Sequence, residues 1–197
     1  MVPNGADHLQ GREVDDSVLL GTELESLPFL LAVGSGNPGK NHHGLVQAWK
    51  LLGRKNARLV LVGRTRPRVF AMDRFPAAPG VISLGAVSDG QLKALYRKAR
   101  GLFLPSFYEG FGLPVLEAMD QGCPVAASNQ ASLPEVCGAA ALAFDPWSSD
   151  EMAHAMRVLL DDEPERMRLR QLGLERASQF RWDQSARLLI DFLERMG

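Results

Sequence analysis

Six short apolar runs punctuate this chain, and none of them alternates apolar with polar residues. They span Phe29–Val33, Arg58–Val62, Val81–Leu84, Gly101–Leu104, Pro124–Ala127 and Ala141–Phe144. A strand with one wet face shows a period of two, so runs that are apolar on both faces require cover on both sides. The stretches between them supply it. Helical spacing predicts helices over His42–Leu52, Asp89–Ala99, Leu113–Gln121, Ser149–Leu160, Pro164–Gln179 and Trp182–Met196. Asp89 and Ser148 or Ser149 are suited to helix N-caps, and Pro164 to a first turn. Short strands alternating with helices build a parallel α/β layer structure. The expectation is a Rossmann-like, doubly wound parallel sheet of about six strands with helices on both faces.

The two ends read differently from this middle. Residues 1–27 carry Pro3, Gly5, Gly11, Gly21 and scattered charges, with no period that would build a core, and are expected to be a linker or appended arm. The last helix places Trp182, Ala186, Leu189 and Leu193 on one face, widened by Leu188 and Phe192. That face is expected to be buried, on the chain's own sheet first, with a separate partner domain as the alternative.

Charge and apolar content exclude several classes. With 22 Lys and Arg against 23 Asp and Glu, the net charge is −1, which leaves no basic excess for a nucleic-acid surface. The longest apolar run, Leu27–Val33, is far too short for a transmembrane segment, and Met-Val-Pro-Asn-Gly is no signal peptide, so a cytoplasmic protein is expected. Cys123 and Cys137 lack metal-ligand spacing and are expected to be buried thiols. His42 and His43 are adjacent and so face different sides of a helix, while His8 and His154 have no partner at ligand spacing. No metal is expected, and the lone histidines read as surface or helix residues.

After the first run comes Gly34-Ser35-Gly36-Asn37-Pro38-Gly39-Lys40-Asn41, which fits a dinucleotide fingerprint and nearly fits a P-loop. Context denies both. The second run ends Leu61-Val62-Gly63-Arg64 without the acid that would grip a ribose. Asn41 replaces the Ser or Thr that would hold magnesium, and Pro38 removes a backbone N–H. What remains is a glycine-rich turn before a helix N-terminus with a lysine at its mouth, a combination suited to a phosphate or diphosphate.

The most informative stretch is Ser106-Phe107-Tyr108-Glu109-Gly110-Phe111-Gly112-Leu113-Pro114-Val115-Leu116-Glu117-Ala118-Met119, which follows a strand and opens a helix. Open α/β sheets bind ligands at that end. Gly110 and Gly112 expose backbone N–H groups, and Pro114 costs an early helical position no hydrogen bond. Glu117 lies about one turn into the helix. Glu109 and Glu117 are therefore placed to meet different parts of one extended polyhydroxylated ligand, since a carboxylate accepts from two hydroxyls at once.

These residues resemble the retaining glycosyltransferases of group one (family four), which have the two-domain GT-B fold. The resemblance rests on Glu109-Gly-Phe-Gly-Leu-Pro-Val-Leu-Glu117-Ala-Met, Gly122-Cys-Pro-Val125 and Ser132-Leu-Pro-Glu135-Val136-Cys-Gly138. It continues through Asp145-Pro146 to Arg176-Ala-Ser-Gln-Phe180-Arg-Trp182. It implies that residues 28–197 are the C-terminal, nucleotide-sugar-binding domain and that residues 1–27 are the remnant of an interdomain linker. Glu109 would then contact the donor sugar near the reacting centre, and Glu117 would hold the ribose hydroxyls. Lys40 would neutralise the diphosphate, with Gly34 and Ser35 in the same loop. Backbone groups of Gly110, Phe111, Gly112 and Leu113 would meet sugar and diphosphate, and Ala86 and Val87 would read the base. Ser35 and Gly39 stand where many members carry arginine, which makes Arg64, first of the cluster Arg64, Arg66, Arg68 and Arg74, the candidate substitute cation.

The implied reaction is transfer of a hexose, with mannose suggested by the Asn-Pro-x-Lys-Asn style of loop, from a nucleoside-diphosphate sugar with retention and without metal. The acceptor would be a glycan or lipid-linked saccharide bound through an N-terminal domain, and the whole protein would be cytoplasmic or peripheral at the inner membrane. A sugar-nucleotide epimerase of similar shape is the alternative enzyme. A non-catalytic nucleotide-sugar-binding module is the alternative for the domain in isolation.

Overall fold

In a computed structural model, which describes residues 3–64 and 75–195, the six apolar runs form one parallel sheet. The strands are β1 (Phe29–Val33), β2 (Arg58–Val62), β3 (Val81–Gly85), β4 (Gly101–Leu104), β5 (Val125–Ser128) and β6 (Ala141–Phe144), in the order β3-β2-β1-β4-β5-β6. Every described pairing is parallel, with Leu31 opposite both Val60 and Leu102. Among the described residues the helices are α1 (His42–Leu52), α2 (Asp89–Lys98), α3 (Leu113–Asp120), α4 (Leu133–Cys137), α5 (Ser149–Asp161), α6 (Glu163–Ala177) and α7 (Trp182–Glu194).

Strand residues feed two cores by turns, as runs apolar on both faces require. Phe29, Leu31, Val60, Val62, Leu102 and Leu104 pack on one face with Leu95 and Tyr96 of α2 and Leu116 and Met119 of α3. Leu30, Ala32, Leu59, Leu61 and Phe103 pack on the other with Leu45 and Trp49 of α1 and Met152, Met156 and Leu159 of α5. Each fully buried Leu or Phe contributes about 1.5–3 kcal/mol, so both layers are needed to hold the sheet. Cys123 and Cys137 lie in the first core as free thiols, and burial pushes both up to about 12, which keeps them protonated.

Several boundaries differ from the sequence expectation. Ser88, not Asp89, caps α2: its hydroxyl accepts from the Gln91 N–H while the Gln91 side chain accepts from the Ser88 N–H. Strand β5 begins at Val125 rather than Pro124, which has no N–H to pair and offers only its carbonyl, to Leu102. The five-residue α4 is too short to show a period and was not foreseen.

The ends depart further. Residues 1–27, expected to build no core, bury Ala6, Leu9, Leu19 and Leu24 in the first core through three isolated 3-10 turns, Asp7–Leu9, Asp16–Val18 and Glu23–Glu25. Leu9 and Leu24 lie in such turns while Ala6 and Leu19 flank them, so no periodicity announces these anchors. Helix α7 does not bury its stripe on the sheet, because the other helices and the arm already cover both faces. Leu188, Leu189, Phe192 and Leu193 are each about half exposed, and Ser185 is the buried residue of this helix. Its attachment is at one end: the Trp182 N–H donates to Asp7 and the Ser185 hydroxyl to the Pro3 carbonyl.

Candidate functional site

The strand order reverses between β1 and β4, whose chains lead to opposite edges of the sheet. A crevice opens at such a switch point, outside the carboxyl ends of the strands. Two loops rim it. The first, Gly34–Asn41, leaves β1 close against Gly63: a Cβ at Gly63 would stand 1.9 Å from the Gly34 carbonyl oxygen, and its φ of +147° also favours glycine. Inside this loop the Asn37 side chain accepts from the Gly39 N–H at 2.8 Å and closes the turn that presents Lys40. Asn41 then opens α1 from a left-handed conformation, its Oδ1 capping the Gly44 N–H and its Nδ2 donating to the Pro146 carbonyl at 2.7 Å. The residue that disqualified a P-loop is thus a cap and a tether to the β6 end of the sheet.

The second loop follows β4 and is bonded to the first by the Phe107 N–H, which donates to the Gly39 carbonyl at 3.0 Å. It delivers Glu109 to Lys40, with Nζ to Oε1 at 2.6 Å, and the buried Ser106 hydroxyl donates to the same oxygen at 2.7 Å. The Ser132 hydroxyl, at the start of α4, fixes the backbone by donating to the Glu109 carbonyl at 2.9 Å. Glu109 is 8% exposed, so its carboxylate is desolvated and held between a cation and a hydroxyl. Gly112 ends the loop at φ +95°, and a Cβ there would lie 2.6 Å from Leu133. Glycine is needed twice over, and α3 starts without a side-chain cap: Pro114 has no N–H and the Val115 N–H donates to the Gly112 carbonyl at 3.0 Å, which leaves the Leu113 N–H available to a ligand.

Glu117, one turn into α3, is nearly buried and, among the described residues, meets no lysine or arginine. Tyr96 of α2, fully buried, donates to Oε2 at 2.8 Å, and His8 Nε2 of the N-terminal arm stands 3.2 Å from Oε1. Burial raises the pKa of Glu117, opposed by these two contacts.

The remaining candidate residues lie in the loops that follow β1, β2, β3 and β4 and at the start of α3. Gly34 lies beside the Lys40 chain, where a Cβ would come 3.4 Å from Cγ. The Ser35 carbonyl is bonded to His42 Nε2 at 3.1 Å. His42 is buried, and burial pushes it down to about 4, so it is a neutral donor that braces this loop rather than a surface residue. Gly110 is exposed, Phe111 packs edge-on against Phe180, and Leu113 begins α3. Ala86 and Val87 connect β3 to α2, Ala86 exposed and Val87 half-buried. Arg64 is exposed just beyond β2, with its carbonyl accepting from the Gly36 N–H. Arg66, Arg68 and Arg74 lie outside the described residues.

Sequence reasoning missed Tyr96, His8, Ser106 and Asn41 as site residues. Ser106 adjoins the motif and could have been read with it. Tyr96 reads as one more core aromatic, and His8 sits in a segment without pattern.

Comparison with known proteins decides the family. The sequence model described as Glycosyl transferases group 1 matches residues 22–176. The chain belongs to the group 1 glycosyltransferases. It is 40% identical over 163 residues to an O-antigen chain mannosyltransferase B of Escherichia coli, a match covering 79% of this chain and 42% of that protein. It is 32% identical over 182 residues to a serotype-specific mannosyltransferase of Escherichia coli, covering 87% of this chain and 22% of that one. The chain thus spans less than half the length of these relatives. Among solved structures, a sucrose-phosphate synthase from Thermosynechococcus elongatus superposes with TM-score 0.82 at 25% identity, over 99% of this chain and 52% of that one. A trehalose-phosphate synthase from Burkholderia xenovorans gives TM-score 0.81 at 16% identity, over 98% and 50%, and bears on the fold alone. Among the described residues, no helix is long and apolar enough to cross a membrane.

Proposed function

We propose that this chain is the donor-binding part of a retaining glycosyltransferase that moves a hexose, mannose above all, from a nucleoside-diphosphate sugar to a glycan or lipid-linked acceptor. The observation that carries this reading is the meeting of Lys40 and Glu109 at the switch point, with Glu117 farther along the same helix entrance. An ammonium has three donor hydrogens; one goes to Glu109, which leaves two for diphosphate oxygens. The 40% identity to a mannosyltransferase supports the sugar.

In the proposed step the bond from the anomeric carbon to the diphosphate oxygen breaks, and its electron pair leaves with the diphosphate. The acceptor oxygen bonds the same face of that carbon, and its proton passes to the departing diphosphate. Lys40 and the free Leu113 N–H at the start of α3 stand where negative charge grows, so they stabilise the transition state more than the ground state. No metal is required for that role in this reading. Glu109 orients the sugar, Glu117 the ribose, and Ala86 and Val87 offer backbone groups to the base. The acceptor site and the cover for the exposed stripe of α7 are assigned to the rest of the protein, an N-terminal domain, so this chain alone binds donor without transferring sugar.

The test is calorimetric titration of the chain with GDP, UDP and ADP and their sugar conjugates, with and without magnesium. Selective, magnesium-independent binding of one nucleotide, weakened in Lys40→Ala, is the expected result. Failure of all three to bind the folded chain overturns the reading, and so does sugar transfer by this chain alone to a defined acceptor.

A further inference from the structure

The segment that reads as a bare linker is fastened to the domain by charged and polar groups around one residue, His8. Lys93 of α2 is buried without a carboxylate partner among the described residues, and its ammonium donates to the carbonyls of Leu9 at 3.0 Å and Arg12 at 2.8 Å, with Gln10 at 3.4 Å. On the other flank Asp7 accepts from the Trp182 N–H at 3.0 Å and faces Arg181 at 3.6 Å. The Gln10 side chain donates to Asp120 at the end of α3 at 2.8 Å. Burying an ammonium among carbonyls is costly unless all its hydrogens are used. Three carbonyls use them, and the backbone on either side of His8 is thereby fixed.

The carboxylate that His8 reaches has a divided environment. Tyr96 donates to Oε2 from inside the core and His8 stands against Oε1 from the solvent side. Each carboxylate oxygen has two lone-pair sites. One site on each oxygen is therefore occupied, and one on each remains. That leaves two acceptors from a single rigid group, which is the pattern that a vicinal diol matches.

We propose that Tyr96 and His8 are positioning residues for Glu117, and that the N-terminal arm is part of the nucleotide site because it holds His8 against that carboxylate. The ligand group is a ribose 2′,3′-diol. This rests on the donor-site reading above and adds the residues that make Glu117 diol-selective. The arm contributes alignment and charge rather than a contact of its own: a Glu117 freed from either neighbour can rotate or take up a proton, and a protonated carboxyl accepts one hydroxyl less well. The groups that face Glu117 are Tyr96 and Asp89 of α2 and His8 of the arm; Asp89 opposes ionisation while the other two favour it.

The experiment compares GDP, UDP and ADP with their 2′,3′-dideoxy counterparts in calorimetric titrations of the chain between pH 5.5 and 8. The variants are His8→Ala, which changes an exposed side chain, and Tyr96→Phe, which removes one oxygen. The wild type is expected to prefer the diol form of the nucleotide it binds by about tenfold or more. Each variant should lose most of that preference while keeping its affinity for the dideoxy form. In Tyr96→Phe the fall in diol binding on acidification should also begin at higher pH. Wild-type binding that ignores the diol overturns the proposal and leaves the donor reading standing. So does a variant whose diol and dideoxy affinities fall together, since that marks a structural role. A tighter diol affinity in His8→Ala overturns it too, because His8 would then compete with the ribose. Failure of every nucleotide to bind the wild type removes the donor reading and this proposal with it.

Discussion

Glu109 and Glu117 stand eight residues apart in one motif, are buried to nearly the same degree, and are kept by opposite means. Glu109, at 8% exposure, has a full cation at 2.6 Å and a hydroxyl at 2.7 Å on one oxygen. Glu117, at 9%, has a phenol on one oxygen and a half-exposed imidazole on the other. A buried carboxylate beside a fixed lysine is compensated chiefly by Coulomb attraction, whereas one held by a buried phenol and an imidazole at the surface leans more on hydrogen bonds. Identical side chains in one loop-helix unit therefore answer differently to mutation. In the donor reading proposed above, the first orients the sugar while its lysine meets the diphosphate, and the second meets hydroxyls, where a directional acceptor is needed.

The largest expected effect comes from removing the cation. Lys40→Met should lower transfer by the full-length protein by about 10²–10³-fold, the usual loss when one fixed stabiliser of developing charge is deleted. Stability should fall less, by about 1.5 kcal/mol, at the low end for a hydrogen bond to a charged group, because the lysine side chain keeps 28% exposure. Turnover measured beside a denaturant titration checks both. A variant that retains wild-type turnover would end the assignment of Lys40 to the diphosphate.

Glu117→Gln should cost donor affinity about tenfold, since an amide offers one acceptor oxygen instead of two. On stability it should act in the opposite direction. Burial raises the Glu117 pKa above the ordinary 4.5, so the folded state binds this proton more tightly than the unfolded chain does. The stability so contributed is complete below the ordinary value and is lost as pH rises through the raised one. At neutral pH the ionised Glu117 is therefore a burden on the fold. Thermal unfolding at pH 7 should show Glu117→Gln about 2 °C above the wild type. Donor affinity follows the reverse slope in the same window, falling as the pH drops through the raised pKa. Parallel slopes for affinity and stability would show that Glu117 does not carry its charge to the ligand.

How much of this was legible in the sequence follows from which forces are local. The six strands and their parallel, doubly covered sheet follow from runs such as Phe29–Val33, because burial on both faces erases alternation, whereas their order was not read. Gly112 and Pro114 mark the start of α3 by their own backbone preferences, and the pairing of Lys40 with Glu109 follows once β1 and β4 are neighbours. The arm was opaque because its anchors, Leu9, Leu19 and Leu24, are held one at a time in isolated turns, by contacts from α2 and α7 that are distant in sequence. The α7 stripe was misjudged for the opposite reason. Its period is strong, but a period tells that a face is apolar and not what covers it.

The smallest expected effect tests how far the first environment depends on Lys40 alone. Ser106 is fully buried, and its hydroxyl donates to the same Glu109 oxygen that Lys40 holds. Ser106→Ala removes that donor, leaves a cavity no larger than one oxygen, and keeps the cation in place. The expected loss is about 1 kcal/mol of stability, with donor affinity within about threefold of wild type. If Lys40 and Ser106 act as one unit on Oε1, the double variant should differ from the sum of the single ones by 0.5 kcal/mol or more, as groups sharing a partner usually do. Additive losses in a double-mutant cycle would mean that the serine only shapes the loop. Glu109 would then depend on its cation as completely as Glu117 depends on Tyr96 and His8.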